Sequence, residues 1–174
     1  MAVPQGLTLK HHRDLKGREA RPHVRQVLVA LLAAVLVLAL LNLFGQGVDV
    51  SSAQSSVARL EVSAPTKLRG GIFFQTRIRV IASEEIENAM LVLDPDWLED
   101  ITLNTAAPAP VGEASRDGRI AFELGRIPAG DEHRLYLQFQ VNPTIDLGTR
   151  SQDIELYDGE NLLLSIDRDA LVWP

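Results

Sequence analysis

From Arg59 onward the chain alternates apolar and polar residues with a period of two. Leu60, Val62 and Ala64 alternate with Glu61 and Ser63, and Phe74, Thr76, Ile78, Val80 and Ala82 with Gln75, Arg77, Arg79 and Ile81. Ile120, Phe122 and Leu124 share one parity against Arg119 and Glu123. Leu135, Leu137, Phe139 and Val141 share one against Tyr136, Gln138 and Gln140. Successive side chains of a strand point to opposite faces, so each run predicts a strand with one face on a core and one in water. Phe74, Ile78, Val80, Ile120, Phe122, Leu124, Leu135, Leu137 and Phe139 are expected inside, and Arg77 on the opposite face. Turn residues punctuate the runs at Gly70-Gly71, Asp117-Gly118, Pro128–Gly130, Asn142-Pro143 and Asp158-Gly159. Asp158-Gly159 predicts a hairpin of type I′ character, and Asp117-Gly118 is a candidate for another. Ser83–Leu93 fits two schemes. Ser83 could cap a helix with acids in its first turn, or 83–88 could be a loop before a strand over Ala89–Leu93. The strands on either side favour the second scheme. Seven or eight strands over residues 59–174 have the size and spacing of an immunoglobulin-like antiparallel β-sandwich.

The segment before this domain follows a different pattern. Val27–Phe44 is an 18-residue apolar run with Asn42 as its one polar member, and it has no polar face of the kind a soluble core helix keeps. As a helix it spans about 27 Å, and continued to residue 48 it passes the ~30 Å hydrocarbon thickness. The expected organisation is a cytoplasmic tail over 1–26, a transmembrane signal-anchor helix over 27–48, a Gly/Ser/Gln-rich linker over 49–58 and an outer domain over 59–174. A cleaved signal peptide is the alternative, with Ser51-Ser52-Ala53 as its small-residue site. That site lies far behind the apolar run, and the run is longer than an ordinary signal. Ala30 and Ala34 have the four-residue spacing of small-residue helix contacts, a weak signal for a helix-mediated homodimer.

Charge orients the segment. The net charge is −6, but the signs are segregated. Lys10, Arg13, Lys16, Arg18, Arg21 and Arg25 make the first 26 residues net +4, and the remaining 148 are net −10. Basic residues crowd one side of the apolar run, and none follows before Arg59, so the N-terminus is expected in the cytoplasm and the domain outside the cell membrane. The tail can also attract anionic lipid, which makes the bilayer one expected partner. The acidic bulk of the domain disfavours nucleic acid as its partner, and none is expected. With no cysteine in the chain, disulfides, thiolate chemistry and Cys-based metal sites are excluded, and the domain must be held by its core alone.

One stretch carries a resemblance. Asn88–Asp94, Asp117–Leu124, Gly125–Gly130 and Leu135–Phe139 follow in the order of the conserved-repeat immunoglobulin-like modules of bacterial and archaeal surface proteins. The resemblance covers Thr76 to Pro143 and implies a sandwich fold and a surface location. Those modules occur in tandem, whereas this chain has a single copy beside a membrane anchor. No catalytic residue carries over.

Candidate chemistry is sparse. Outside the tail the only histidine is His133, in a charged turn, and a Ser-His-Asp set would have to use it. His11, His12 and His23 lie in or beside the polar tail and read as solvated. Asp94, Asp96, Glu99 and Asp100 are dense enough in oxygen to suggest Ca²⁺, but their spacing fits no known loop and a solvated loop is the preferred reading. Trp97 and Trp173 are the candidate partner contacts, with a core position for Trp97 and a last strand for Trp173 as the simpler assignments. No catalytic residue, cofactor or metal is therefore expected. The reading is a single-pass protein whose non-catalytic outer domain binds another membrane or envelope protein, with an accessory subunit of a polytopic neighbour as one form of that role. A structural protein binding wall polymer is the alternative, and a small hydrolase using Asp94, Asp96 or Glu99 is the least favoured. The topology has a direct test. A reporter active only in the cytoplasm, fused after Pro174, should stay silent; activity would reverse the orientation.

Overall fold

A computed structural model describes residues 21–41 and 45–173. The chain divides into two units, one ending at Gly45 and one beginning at Gln46.

The first unit is a helix, Arg21–Leu40, followed by a turn at Leu41. Its 20 residues correspond to about 30 Å. The apolar stretch His23–Leu40 is long enough to cross a membrane or to act as a signal sequence, and its side chains are exposed throughout. The helix therefore starts six residues before Val27. It does not extend to residue 48, because Val48 belongs to a strand.

The second unit is mostly β. Its strands are β1 (Val48–Gln54), β2 (Ala58–Pro65), β3 (Lys67–Leu68), β4 (Phe73–Ala82), β5 (Ile86–Leu93), β6 (Ile101–Ala107) and β7 (Gly112–Arg116). They continue with β8 (Arg119–Ile127), β9 (Glu132–Val141), β10 (Gly148–Ser151), β11 (Ile154–Asp158), β12 (Asn161–Ile166) and β13 (Asp169–Val172). One five-stranded sheet has the order β1-β2-β4-β9-β6, a second has β12-β11-β5-β8-β7, and a three-stranded sheet has β10-β13-β3. The two large sheets bury one continuous apolar cluster between them, which makes the unit a β-sandwich. Pairing is antiparallel apart from β13 with β3, which is parallel.

The core is built by the parity read from the sequence. Ile78, Val80, Phe122, Leu135, Leu137 and Phe139 are fully buried, and Phe74 and Leu124 nearly so. Ile120 is only partly buried, packed against the cluster. Phe139 is central: its ring stacks on Phe74 at 5.1 Å and meets Trp97 at 5.4 Å.

Several expected boundaries are corrected. Residues 49–58 are not a spacer, because Val48–Gln54 pairs along its length with β2. The Ser/Gln composition serves a turn instead: the Ser55 hydroxyl accepts hydrogen bonds from the Val57 and Ala58 amides. In Ser83–Leu93 neither a helix nor a loop to residue 88 forms. The strand starts at Ile86, which is buried, and a register shift before Ala89 absorbs the irregular pattern. Both central residues of the Asp117-Gly118 turn have positive φ, 52° and 77°, so this is the type I′ hairpin. In the turn after Asp158 only Gly159 has positive φ, the pattern of type II′.

The central position of two aromatic rings sets a stability test. Phe122→Ala and Phe139→Ala should each cost about 3–5 kcal/mol, as for aromatic truncations in closed cores. Denaturant unfolding of the full chain in micelles, followed by tryptophan fluorescence, measures this. A loss below about 1 kcal/mol would place neither ring in a closed core.

Candidate arginine trough on the outer sheet face

The parity that buries Leu60, Ile78 and Leu135 sends their neighbours to the opposite face of the first sheet. Register aligns them across strands. Glu61 pairs with Arg79, which pairs with Arg134. In the next outward row Val50, Ser63, Arg77, Tyr136 and Ala107 lie side by side across five strands. Beyond them Gln75, Gln138 and Thr105 form a further row. The short Ser63 side chain, between Val50 and Arg77, leaves a hollow of about 260 Å³ lined by Val50, Glu61, Ser63, Arg77, Arg79, Arg134 and Tyr136. A second hollow of about 320 Å³ shares Ser63, Arg77 and Tyr136 and adds Val48, Pro65 and Gln75 among its walls. The two form one trough with Arg77 and Tyr136 in the middle.

Its electrostatics are unbalanced. Arg79 and Arg134 lie directly opposite, an unfavourable placement for like charges on neighbouring strands. Carboxylates offset it. Arg79 Nε donates to Glu132 Oε2 at 2.6 Å and its Nη1 to Glu61 Oε2 at 3.3 Å, while Arg134 pairs with the other oxygen of Glu132. Arg59 shares Glu61 at 2.9 Å. The hydrogen bond from Arg79 holds Glu132 below the usual carboxylate range, and the same bond raises Arg79 above its ordinary value. Four arginines on this face thus meet two glutamates. Among the described residues Arg77 has no carboxylate partner, and it is exposed.

The arginines associated with the second sheet contrast with this. Arg116 pairs with Glu160 at 2.7 Å, Arg119 with Glu155 at 2.9 Å and Arg126 with Glu85 at 2.9 Å. Arg116 lies 4.0 Å over the Tyr157 ring, whose hydroxyl donates to Glu155. Tyr157 packs with Val92 and Ala121 in a small cluster of its own. Each of these three guanidiniums has a carboxylate of its own.

The residues singled out from the sequence lie elsewhere. Asp94 caps the 3₁₀ turn Pro95–Trp97 and accepts from Ser151 Oγ at 3.3 Å; Asp96 accepts from the Ser151 amide at 3.0 Å. Glu99 and Asp100 face Arg150, at 3.4 and 3.7 Å. The four acids are thus dispersed along a loop that they fasten to β10. Among the described residues no group of three or more acids and histidines has the geometry to hold a metal ion. Trp97 is fully buried, with its indole N–H donating to the Asp153 carbonyl at 3.2 Å. Trp173 extends the β13–β3 pairing through its amide to Leu68, and the Arg69 guanidinium lies 4.1 Å from its ring centre. Neither tryptophan is in the trough. His133 is half-buried; burial pushes its pKa down, and its Nε2 has no hydrogen-bond partner among the described residues. Lys10, Arg13, Lys16 and Arg18 lie outside the described residues, Arg21 begins the helix and Arg25 is exposed on it.

The trough residues were visible in the sequence only as the polar parity of three strands, β2, β4 and β9. What was missing was the register that sets Arg79 against Arg134 and Arg77 against Tyr136.

No protein-family model matches this chain, and no curated protein matches its sequence. Among solved structures, the sporulation control protein Spo0M from Bacillus subtilis aligns at 14% identity with a TM-score of 0.43, covering 69% of this chain and 51% of its own. The chain thus spans about half the length of Spo0M. AvmM, which catalyses macrocyclization in alchivemycin A biosynthesis, aligns at 9% identity with a TM-score of 0.44, over 75% and 90% of the two chains. A CARDB domain from Pyrococcus furiosus, solved with di-metal ions, aligns at 12% identity with a TM-score of 0.37, over 69% and 97%. No residue role, ligand or activity passes to this chain from these likenesses.

The depressed pKa of Glu132 gives the bridge a signed pH dependence. Its contribution is complete above the unfolded carboxylate value of about 4.3 and is lost as pH falls through the lower folded value. Glu132→Gln should therefore lower the melting temperature at pH 7, and the difference from the parent should vanish near pH 2. A difference that persists unchanged in acid would show that the Glu132 charge is not what bridges the arginines.

Proposed function

We propose that the chain is a single-pass membrane protein that presents a non-catalytic, immunoglobulin-like sandwich outside the cytoplasm as a protein-interaction module, in the manner of an accessory subunit of a polytopic neighbour. The observation that carries this reading is the trough: an exposed sheet face with an unneutralised arginine and a tyrosine at its centre. Arg and Tyr are enriched in the cores of protein interfaces. The apolar helix Arg21–Leu40, preceded by a basic tail, supports an anchor with its N-terminus in the cytoplasm. The connections support an immunoglobulin-like sandwich. The chain passes from the first sheet at β4 to the second at β5, back at β6, across again at β7 and back at β9. Such repeated crossing is the habit of Greek-key sandwiches.

Solubilisation of the full chain from its own membranes in a mild non-ionic detergent tests this. The expected result is co-elution with a second membrane protein in fixed ratio. Extraction by alkaline carbonate would refute the anchor. Recovery as a lone chain, or only together with wall polymer, would refute the subunit role.

A further inference from the structure

The trough also has a chemical preference. We infer that it binds a carboxylate-bearing segment of the partner protein, with the Arg77 guanidinium as the anchor; this rests on the interaction reading above. The charges of the domain are distributed to suit such a segment. From residue 27 onward the chain has 11 basic and 21 acidic residues. The trough face holds four of those arginines, Arg59, Arg77, Arg79 and Arg134, but only two of the acids, Glu61 and Glu132. An acidic domain with one basic face selects an acidic partner there and repels it elsewhere.

Most cations of the face are already paired. Glu132 and Glu61 already occupy Arg79, and Glu132 also occupies Arg134. Among the described residues of this face Arg77 alone offers an uncommitted planar fork, the geometry that takes a carboxylate through two parallel hydrogen bonds. A phosphate polymer or an anionic lipid surface is held by many cations together, and on this face three of the four arginines are already paired with glutamate.

Apolar and aromatic side chains share the face with Arg77. Tyr136 is beside it, while Val48, Val50 and Phe73 on the same outer parity are 63%, 60% and 56% exposed. One anionic contact flanked by apolar and aromatic surface fits a peptide segment with an acidic residue next to apolar ones. Gln75 and Gln138 can serve its polar groups from the adjoining row.

Photo-cross-linking tests this in the full chain in its own membranes. A benzophenone amino acid at Gln138, and separately at Gln75, probes the trough from the row beside Arg77. The expected product is an adduct to another membrane protein at a peptide that contains Asp or Glu. Its yield should fall at least about tenfold in Arg77→Glu and persist in Arg126→Glu, which makes the same charge change at the other sheet. Circular dichroism of both variants should match the parent. A protein adduct at a peptide without acids, or one indifferent to Arg77→Glu, overturns the carboxylate inference and leaves the interaction module standing. An adduct to this chain's own acidic surface overturns it in favour of self-association. Adducts to phospholipid or wall polymer, or none from either position, overturn both.

Discussion

The structure depends on the cross-strand register of β2, β4 and β9. Leu60, Ile78 and Leu135 must enter the core, and a slip of one residue would turn every apolar side chain of a strand into water. That burial leaves no freedom on the other side. With Val80 and His133 paired inward, Arg79 must lie opposite Arg134, and with Ile78 and Leu135 inward, Arg77 must lie opposite Tyr136. The arginine row is imposed by the core, and repulsion between its members is offset locally by Glu61 and Glu132. Those two carboxylates are enough to hold the row together but not enough to neutralise the face.

The two large sheets share a core yet treat their outer faces differently. The second sheet covers part of its outer side with Val92, Ala121 and Tyr157 and gives each nearby guanidinium a carboxylate. The first sheet leaves Arg77 uncommitted. A third arginine environment connects the elements. Arg168, nearly buried, donates to the Gln152 side chain at 2.7 Å and to the Ala64 and Pro65 carbonyls at 3.4 and 3.2 Å, tying the approach to β13 to the end of β2. Burial lowers its pKa and the charge of Asp49 acts in the opposite sense. Its guanidinium is consumed by structure, as Arg150 is by the acidic loop. Arg77 is consumed by neither, which leaves its guanidinium available at the surface.

The strands with strong parity, such as Phe73–Ala82 and Glu132–Val141, were legible because period two is a local property of the chain. Val48–Gln54 was not, since its valines face outward and its Ser and Gln residues resemble a spacer; pairing with β2 makes it a strand. Ile101–Ala107 and Gly112–Arg116 were missed for a related reason, being edge strands with small and polar residues whose backbone bonds are supplied by β9 and β8. The acidic loop was conspicuous by composition, but its carboxylates serve Ser151 and Arg150. The trough was illegible because it is made by register among four strands, the pairing of β4 with β9 reaching across more than fifty residues, and one sequence records parity without partners.

If Arg77 is retained for a partner and not for the fold, removing it should separate stability from association. The most direct measurement is the melting temperature of Arg77→Thr, read alongside partner retention in the same detergent-solubilised preparation. Threonine suits a strand and removes the charge. The account requires a melting temperature within about 2 °C of the parent, or higher, together with loss of the partner. A clearly lower melting temperature with the partner retained would make Arg77 a structural residue and contradict the account.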